Sequence, residues 1–210
     1  MKIMIFDVET TGLPIRGETD PRKQPRIVQF AAIVGTVSET DQTILWEREN
    51  TIEQKLDPGI DIPYQTSQIH GIYNVDVKWM PKSDTFLKEI VPLMNEVDYI
   101  VAHNLKFDEE MIRYELARLN LEGFQVPDLV PKGRICTMTV WTPICKLPSK
   151  GAWYKKPKLM ELFQFLFDKH FVGAHDALVD VKACGICLIE LMRKKHVTLK
   201  QIDEKQIQLF

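Results

Sequence analysis

The chain has 210 residues, 45% of them hydrophobic, which is enough for one substantial core and short for a second full domain. A formal charge of -2 and a pI near 6.2 exclude a protein held to polyanions by a global positive field, so nucleic-acid binding has to come from local patches. No apolar run approaches the roughly 20 residues that span a bilayer, no signal-peptide pattern opens the chain, and four cysteines are too sparse for a secreted disulfide framework, so a cytoplasmic protein without a membrane partner is expected.

Residues 2 to 8 (KIMIFDV) are a short apolar run rich in β-formers that runs into Thr-Thr-Gly-Leu-Pro, which reads as a buried strand ending in a turn. Residues 15 to 26 read as a loop and 27 to 37 (IVQFAAIVGTV) as a second strand. A third, more polar strand is expected from Thr43 to Ile52, followed by a connection over 57 to 82 with a short helix around Gln65 to Ile69. Asp84 to Val97 spaces Phe86, Leu87, Ile90, Val91 and Met94 on one helical face despite Pro92. Tyr99 to His103 is another strand, and Phe107 to Leu119 is an amphipathic helix opened by acids that suit its positive end. Arg134 to Val140 is expected as a strand, with helices over Lys158 to Asp168 and Ala177 to Lys195. Early strands and late helices, alternating from Tyr99 onward, favour an α/β fold with a mixed sheet flanked by helices. The division expected is a domain over 1–195 and a tail over 196–210.

Asp7 and Glu9 lie two apart at the end of the first strand, so both side chains point to one face. Like charge beside a buried element is costly, and a divalent cation relieves the cost. Taken alone the pair also reads as two solvated acids at a turn. Two further acids strengthen the metal reading. Asp108 follows the strand YIVAH and sits in a helix's first turn, where a dipole-favoured surface acid is the plain alternative. Asp180 is flanked by Ala177, Leu178, Val179 and Val181 and needs a partner if it faces the core. Asp176, at the helix start, reads as an N-cap. His175 follows Gly173 and Ala174, which leave room for close approach, and stands five residues before Asp180.

The segments FDVETTG, AHNLKFD and HDALVD resemble, in order and type, the three motifs of the DEDDh 3′-5′ exonuclease family, which includes the proofreading subunit of bacterial DNA polymerase III, RNase T and the TREX enzymes. RIVQFAAIV and the IHGI element from Ile69 to Ile72 add to the resemblance, which runs from about Lys2 to Leu191. It implies an RNase H-like fold and a two-metal mechanism. Asp7 would bridge two Mg2+ or Mn2+ ions, Glu9, Asp108 and Asp180 would complete their shells, and His175 would be the general base. Hard oxygen ligands suit these ions, two of which stabilise nucleophile and leaving 3′ oxygen together.

The resemblance also implies that Thr10, Thr11 and Gly12 pack against the terminal nucleotide with Leu13 near its base, and extends substrate contact to His70 and Asn104, which as polar residues also read as structural. From Lys146 to Lys158 the chain has five lysines, no acid, and the adjacent Trp153 and Tyr154. With Lys155 and Lys156, Trp153 offers cationic contacts and a stacking surface to a single strand, and the same segment also reads as a solvated loop. Arg22, Lys23 and Arg26 form a weaker basic patch. Cys184 and Cys187, with Cys136 and Cys145, read as core thiols rather than as a zinc site. The C-terminal Gln-Ile-Gln-Leu-Phe resembles the peptide by which bacterial replication and repair proteins dock on the sliding clamp, with Gln206, Leu209 and Phe210 as contacts.

The function expected is release of nucleoside monophosphates from single-stranded or frayed DNA 3′ ends, with a sliding clamp or DNA polymerase as partner. An RNA-trimming exoribonuclease and a catalytically silent adaptor of a replication or repair assembly are the alternatives.

Overall fold

The structure is a computed structural model that describes residues 1–38, 40–151 and 153–199, without the side chains of 47–49. Its elements run β1 (Lys2–Thr10), a 3-10 turn (Pro21–Lys23), β2 (Ile27–Val37), β3 (Ile44–Lys55), α1 (Tyr64–His70), α2 (Asn74–Val77), α3 (Ser83–Glu96), β4 (Tyr99–Ala102), α4 (Leu105–Leu121), β5 (Arg134–Cys136), α5 (Thr137–Cys145), α6 (Leu159–Phe167) and α7 (Ala177–Arg193). The five strands lie in the order β3-β2-β1-β4-β5, with β1, β2 and β3 antiparallel and β4 and β5 joining in parallel. No helix among the described residues is long and apolar enough to cross a membrane.

β1 is the central strand and is covered on both faces, which is why its sequence is apolar almost without a break. Met4, Phe6 and Val8 join the core under α3 and α4, while Ile3 and Ile5 face Val181, Cys184 and Leu188 of α7. Strand alternation therefore carries Asp7 and Glu9 to the α7 side. The strand does not stop at Val8 as the turn signal suggested: it continues through Thr10, paired with β2 as far as Ile27. On its other side β4 reaches only to Ile5, so β1 overhangs its parallel neighbour.

Pro92 sits inside α3 without ending it. Phe86, Leu87, Ile90, Val91 and Met94 are all buried there, and about 1.5–3 kcal/mol for each buried side chain outweighs a cost of about 3 kcal/mol for one interior proline. The strand expected over Arg134 to Val140 is corrected: β5 ends at Cys136, opposite the last residue of β4, and the chain turns into α5. Val140, Trp141, Ile144 and Cys145 then recur at helical spacing against α6 and α7. The cysteines are free and dispersed, with Cys184 facing β1, Cys145 and Cys187 in the α5–α6–α7 cluster, and Cys136 against the α3–α4 core. They do not form one zinc site.

A buried ion pair holds the β1–β2 loop. Arg118 and Glu115, both almost fully enclosed, meet at 2.6 Å. Arg118 donates to the carbonyls of Pro21, Gln24 and Pro25, while Glu115 accepts from the Ile27 amide and the Ser83 hydroxyl. Replacing Arg118 with Ala leaves Glu115 buried and unpaired, and urea unfolding is expected to register a loss of about 3–5 kcal/mol. Packing continues beyond α7 as far as Leu199, whose amide donates to the Gln42 side chain at 2.8 Å. Gln206, Leu209 and Phe210 lie outside the described residues.

Candidate metal centre

Four carboxylates converge where β1 overhangs β4. Val8, whose amide has no strand partner on that side, donates to Asp108 Oδ1 at 3.3 Å, which draws the first turn of α4 onto the strand. Asp108 is thereby buried, and its Oδ2 has no partner. Asp180, in the first turn of α7, accepts from the His175 amide at 3.0 Å through Oδ2, while its buried Oδ1 is also without a partner. Glu9, His175 and Asp180 each present a ligand atom within 4.8 Å of the other two.

Electrostatics tie in the remaining acids. Burial, then the charges of Asp108, Glu9 and Asp180, hold the Asp7 carboxyl well above the usual carboxylate range. Glu9 is pushed up to about 8 by burial and by Asp180 and Asp108. Asp108 is raised chiefly by burial, against the Val8 hydrogen bond, and Asp180 is raised by burial against the His175 amide. Among the described residues no lysine or arginine forms an ion pair with any of the four. Buried acids with unpartnered oxygens, and no lysine or arginine paired with them among the described residues, make a set of hard donors that a divalent metal ion fits.

The turn before α7 presents the histidine. Gly173 and His175 both take left-handed backbone, at φ 88 and φ 68, a conformation that costs a non-glycine residue energy. Asp176 closes the turn as N-cap, accepting from Val179 at 3.1 Å, as its position suggested. His175 itself remains exposed.

The other candidates divide into three groups. Thr10 and Thr11 are buried beside the acids, with the Thr10 hydroxyl donating to the Gly12 carbonyl at 2.7 Å and Thr11 exchanging hydrogen bonds with Arg26. Leu13 is 78% exposed next to them. His70 ends α1 with Nδ1 accepting from the Ile72 amide and a buried, unpartnered Nε2. Burial first lowers its pKa, the Thr10 backbone opposes this, and His175 lowers it further. Asn104 and Lys156, in contrast, line an adjoining cleft. Trp153 and Tyr154 stand out from their loop, at 86% and 48% exposed, and Lys155 is paired with Glu161.

Two further residues support the site, of which Gln29 escaped the sequence reading while His103 has the structural role its sequence setting suggested. Gln29, opposite Glu9 in the β1–β2 register and 1% exposed, accepts from the Ala177 amide at 3.4 Å and so links the strand pair to the start of α7. A glutamine inside the apolar run IVQFAAIV was the available signal. His103 donates through Nε2 to the Pro157 carbonyl at 2.9 Å and meets the Thr137 hydroxyl at 3.0 Å. Burial pushes it down to about 4, so it stays neutral and ties the lysine-rich loop to the sheet.

A family model described as Exonuclease, RNase T, matches residues 4–187. The 3′-5′ exonuclease DinG of Bacillus subtilis is 28% identical over 206 residues, covering 96% of this chain but 19% of its own length. The DNA polymerase III epsilon subunit of Rickettsia conorii is 26% identical over 207 residues, covering 99% of this chain and 80% of the subunit. Among solved structures, Exonuclease X in complex with 5′ overhanging duplex DNA aligns with a TM-score of 0.60 at 22% identity, over 95% of this chain and 96% of that one. E. coli Exonuclease I in complex with a dT13 oligonucleotide aligns with a TM-score of 0.67 at 18% identity, over 92% and 41%. The fold shared with these structures is the RNase H-like mixed sheet flanked by helices.

Proposed function

The chain belongs to the RNase T exonuclease family, and on that premise we propose that it releases nucleoside monophosphates from the 3′ end of single-stranded or frayed DNA. The observation that carries the reading is the clustering of Asp7, Glu9, Asp108 and Asp180, with His175 beside Glu9 and Asp180 and no lysine or arginine paired with any of the four among the described residues. These four acids would hold two Mg2+ or Mn2+ ions, which when bound supply positive charge to polarise the phosphodiester and acidify nearby water. His175 is exposed at the rim, where its ring can take a proton from the attacking water. Thr10, Thr11 and Gly12 form the wall for the terminal nucleotide, Leu13 stands at its base, and His70 is a further polar contact. In the cell the polymerase III relatives suggest a polymerase assembly as partner.

The test is mononucleotide release from 3′-labelled DNA and RNA oligonucleotides with Mg2+ or Mn2+, and again with chelator. Faster release from DNA, abolished by chelation, is expected. Faster release from RNA would turn the assignment to an exoribonuclease, and no release from either would leave the silent adaptor. Replacing His175 with Ala is expected to slow turnover by about 10²–10⁴-fold, with partial recovery on adding free imidazole. We further propose that Gln206, Leu209 and Phe210 dock on a sliding clamp. Deleting the last five residues should then abolish affinity for the isolated clamp in a titration, while mononucleotide release continues.

A further inference from the structure

A cleft of about 550 Å³ opens between the start of α4, the helix that carries Asp108, and α5. That volume is within the roughly 300–1,000 Å³ of ligand pockets. Asn104, which precedes α4, lies on its wall, one helical turn before Asp108. The interior is apolar, with buried Leu105 and half-buried Met138 and Cys136.

Cations ring this floor. Lys106, Arg113, Arg134 and Lys156 line the cleft against two acids, Glu109 and Glu110. Glu109 is already committed to Arg113 at 2.6 Å and Arg134 at 3.0 Å, and Glu110 accepts from the Tyr114 hydroxyl. Lys106 and Lys156 are exposed and have no ion-pair partner among the described residues. Two free ammonium groups above an apolar floor, in a chain whose net charge is -2, match a nucleotide with its base stacked inward and its phosphate at the rim.

We propose that this cleft holds the substrate strand upstream of the scissile phosphate, one or more nucleotides to its 5′ side, and so sets a preference for longer strands. The inference rests on the exonuclease reading above and adds to it Lys106, Met138 and a defined direction for the strand. A thymidine dinucleotide, which has no phosphate beyond the scissile one, would leave Lys106 and Lys156 without a phosphate to hold.

The experiment compares kcat/KM on the thymidine dinucleotide and octanucleotide, with Mn2+, for the full chain and for the Lys106→Ala/Lys156→Ala pair. The wild type is expected to favour the octanucleotide at least tenfold, and the double variant to lose most of that preference. The salt dependence of octanucleotide KM should flatten by about 1.4 logarithmic units per decade, at about 0.7 for each phosphate contact on a single strand. A Met138→Glu variant, with an acid on the floor, should lose the same preference. Equal loss on both lengths, or no loss on either, would overturn the cleft and leave the exonuclease reading intact. A length effect seen only on duplexes with a recessed 3′ end would assign the cleft to the complementary strand and overturn the proposal. A wild type that cleaves neither oligonucleotide would overturn both readings.

Discussion

Replacing Asp7 with Asn is expected to reduce mononucleotide release by on the order of 10³-fold, since a catalytic metal contributes several kcal/mol and about 1.4 kcal/mol is tenfold in rate. The same change should make the metal-free protein harder to unfold. Asp7 is desolvated and repelled by Asp108, Glu9 and Asp180 at once, so the neutral amide removes a cost that the carboxylate bears. A gain of about 1 kcal/mol would raise the melting temperature by roughly 2–4 °C in a protein of this size. Activity and thermal unfolding in chelator, measured on the same preparation, should therefore move in opposite directions. Undiminished turnover would remove Asp7 from the chemistry, and with it the metal centre proposed here.

The metal-free protein should also lose stability as pH rises. Glu9 titrates at about 8 in the fold, against roughly 4.3 in an unfolded chain. Below the lower value both states are protonated and the full contribution is present. Between the two the unfolded chain releases a proton that the fold retains, so stability declines until about pH 8. Asp7, Asp108 and Asp180 are raised as well and act with the same sign. Exposed acids such as Asp20, held near 2 by Arg22, act in the opposite direction only at lower pH. Metal binding requires the ionised carboxylates, so the rise in melting temperature on adding Mg2+ or Mn2+ should be small at pH 5 and large at pH 8. At a hundredfold excess over the dissociation constant it is worth about 2.7 kcal/mol, or roughly 5–10 °C. Melting curves from pH 5 to 8, with chelator and with metal, check both halves. A melting temperature in chelator that climbs over this range would contradict the clustering of the four acids.

The fold was legible where a segment's own pattern decided its structure. β2 was read from Ile27 to Val37 with both bounds in place, because a strand covered on both faces is apolar throughout. α5 was missed because Thr137, Thr139, Val140, Trp141 and Thr142 favour strands locally, and what overrides them is the end of β4 at Ala102 and a pocket for Trp141 among α6 and α7. Neither is written within the segment. The carboxylates could be picked out from their apolar flanks and ordered motifs, whereas Gln29 and the Arg118–Glu115 pair depend on partners tens of residues away. Asn104 and Lys156 were candidates for unrelated reasons, and only the tertiary structure puts them on one cleft.

The alternation along β1 has a consequence for how the protein can go wrong. Ile3 and Ile5 share a face with Asp7 and Glu9, while Met4, Phe6 and Val8 occupy the opposite one. A pairing slip of a single residue would drive both acids beneath α3 and α4 and turn the aromatic ring of Phe6 toward α7. Misalignment would thus place two charges in oil and dismantle the reactive centre in one step, so a miswound copy would be both short-lived and harmless to the strands it meets.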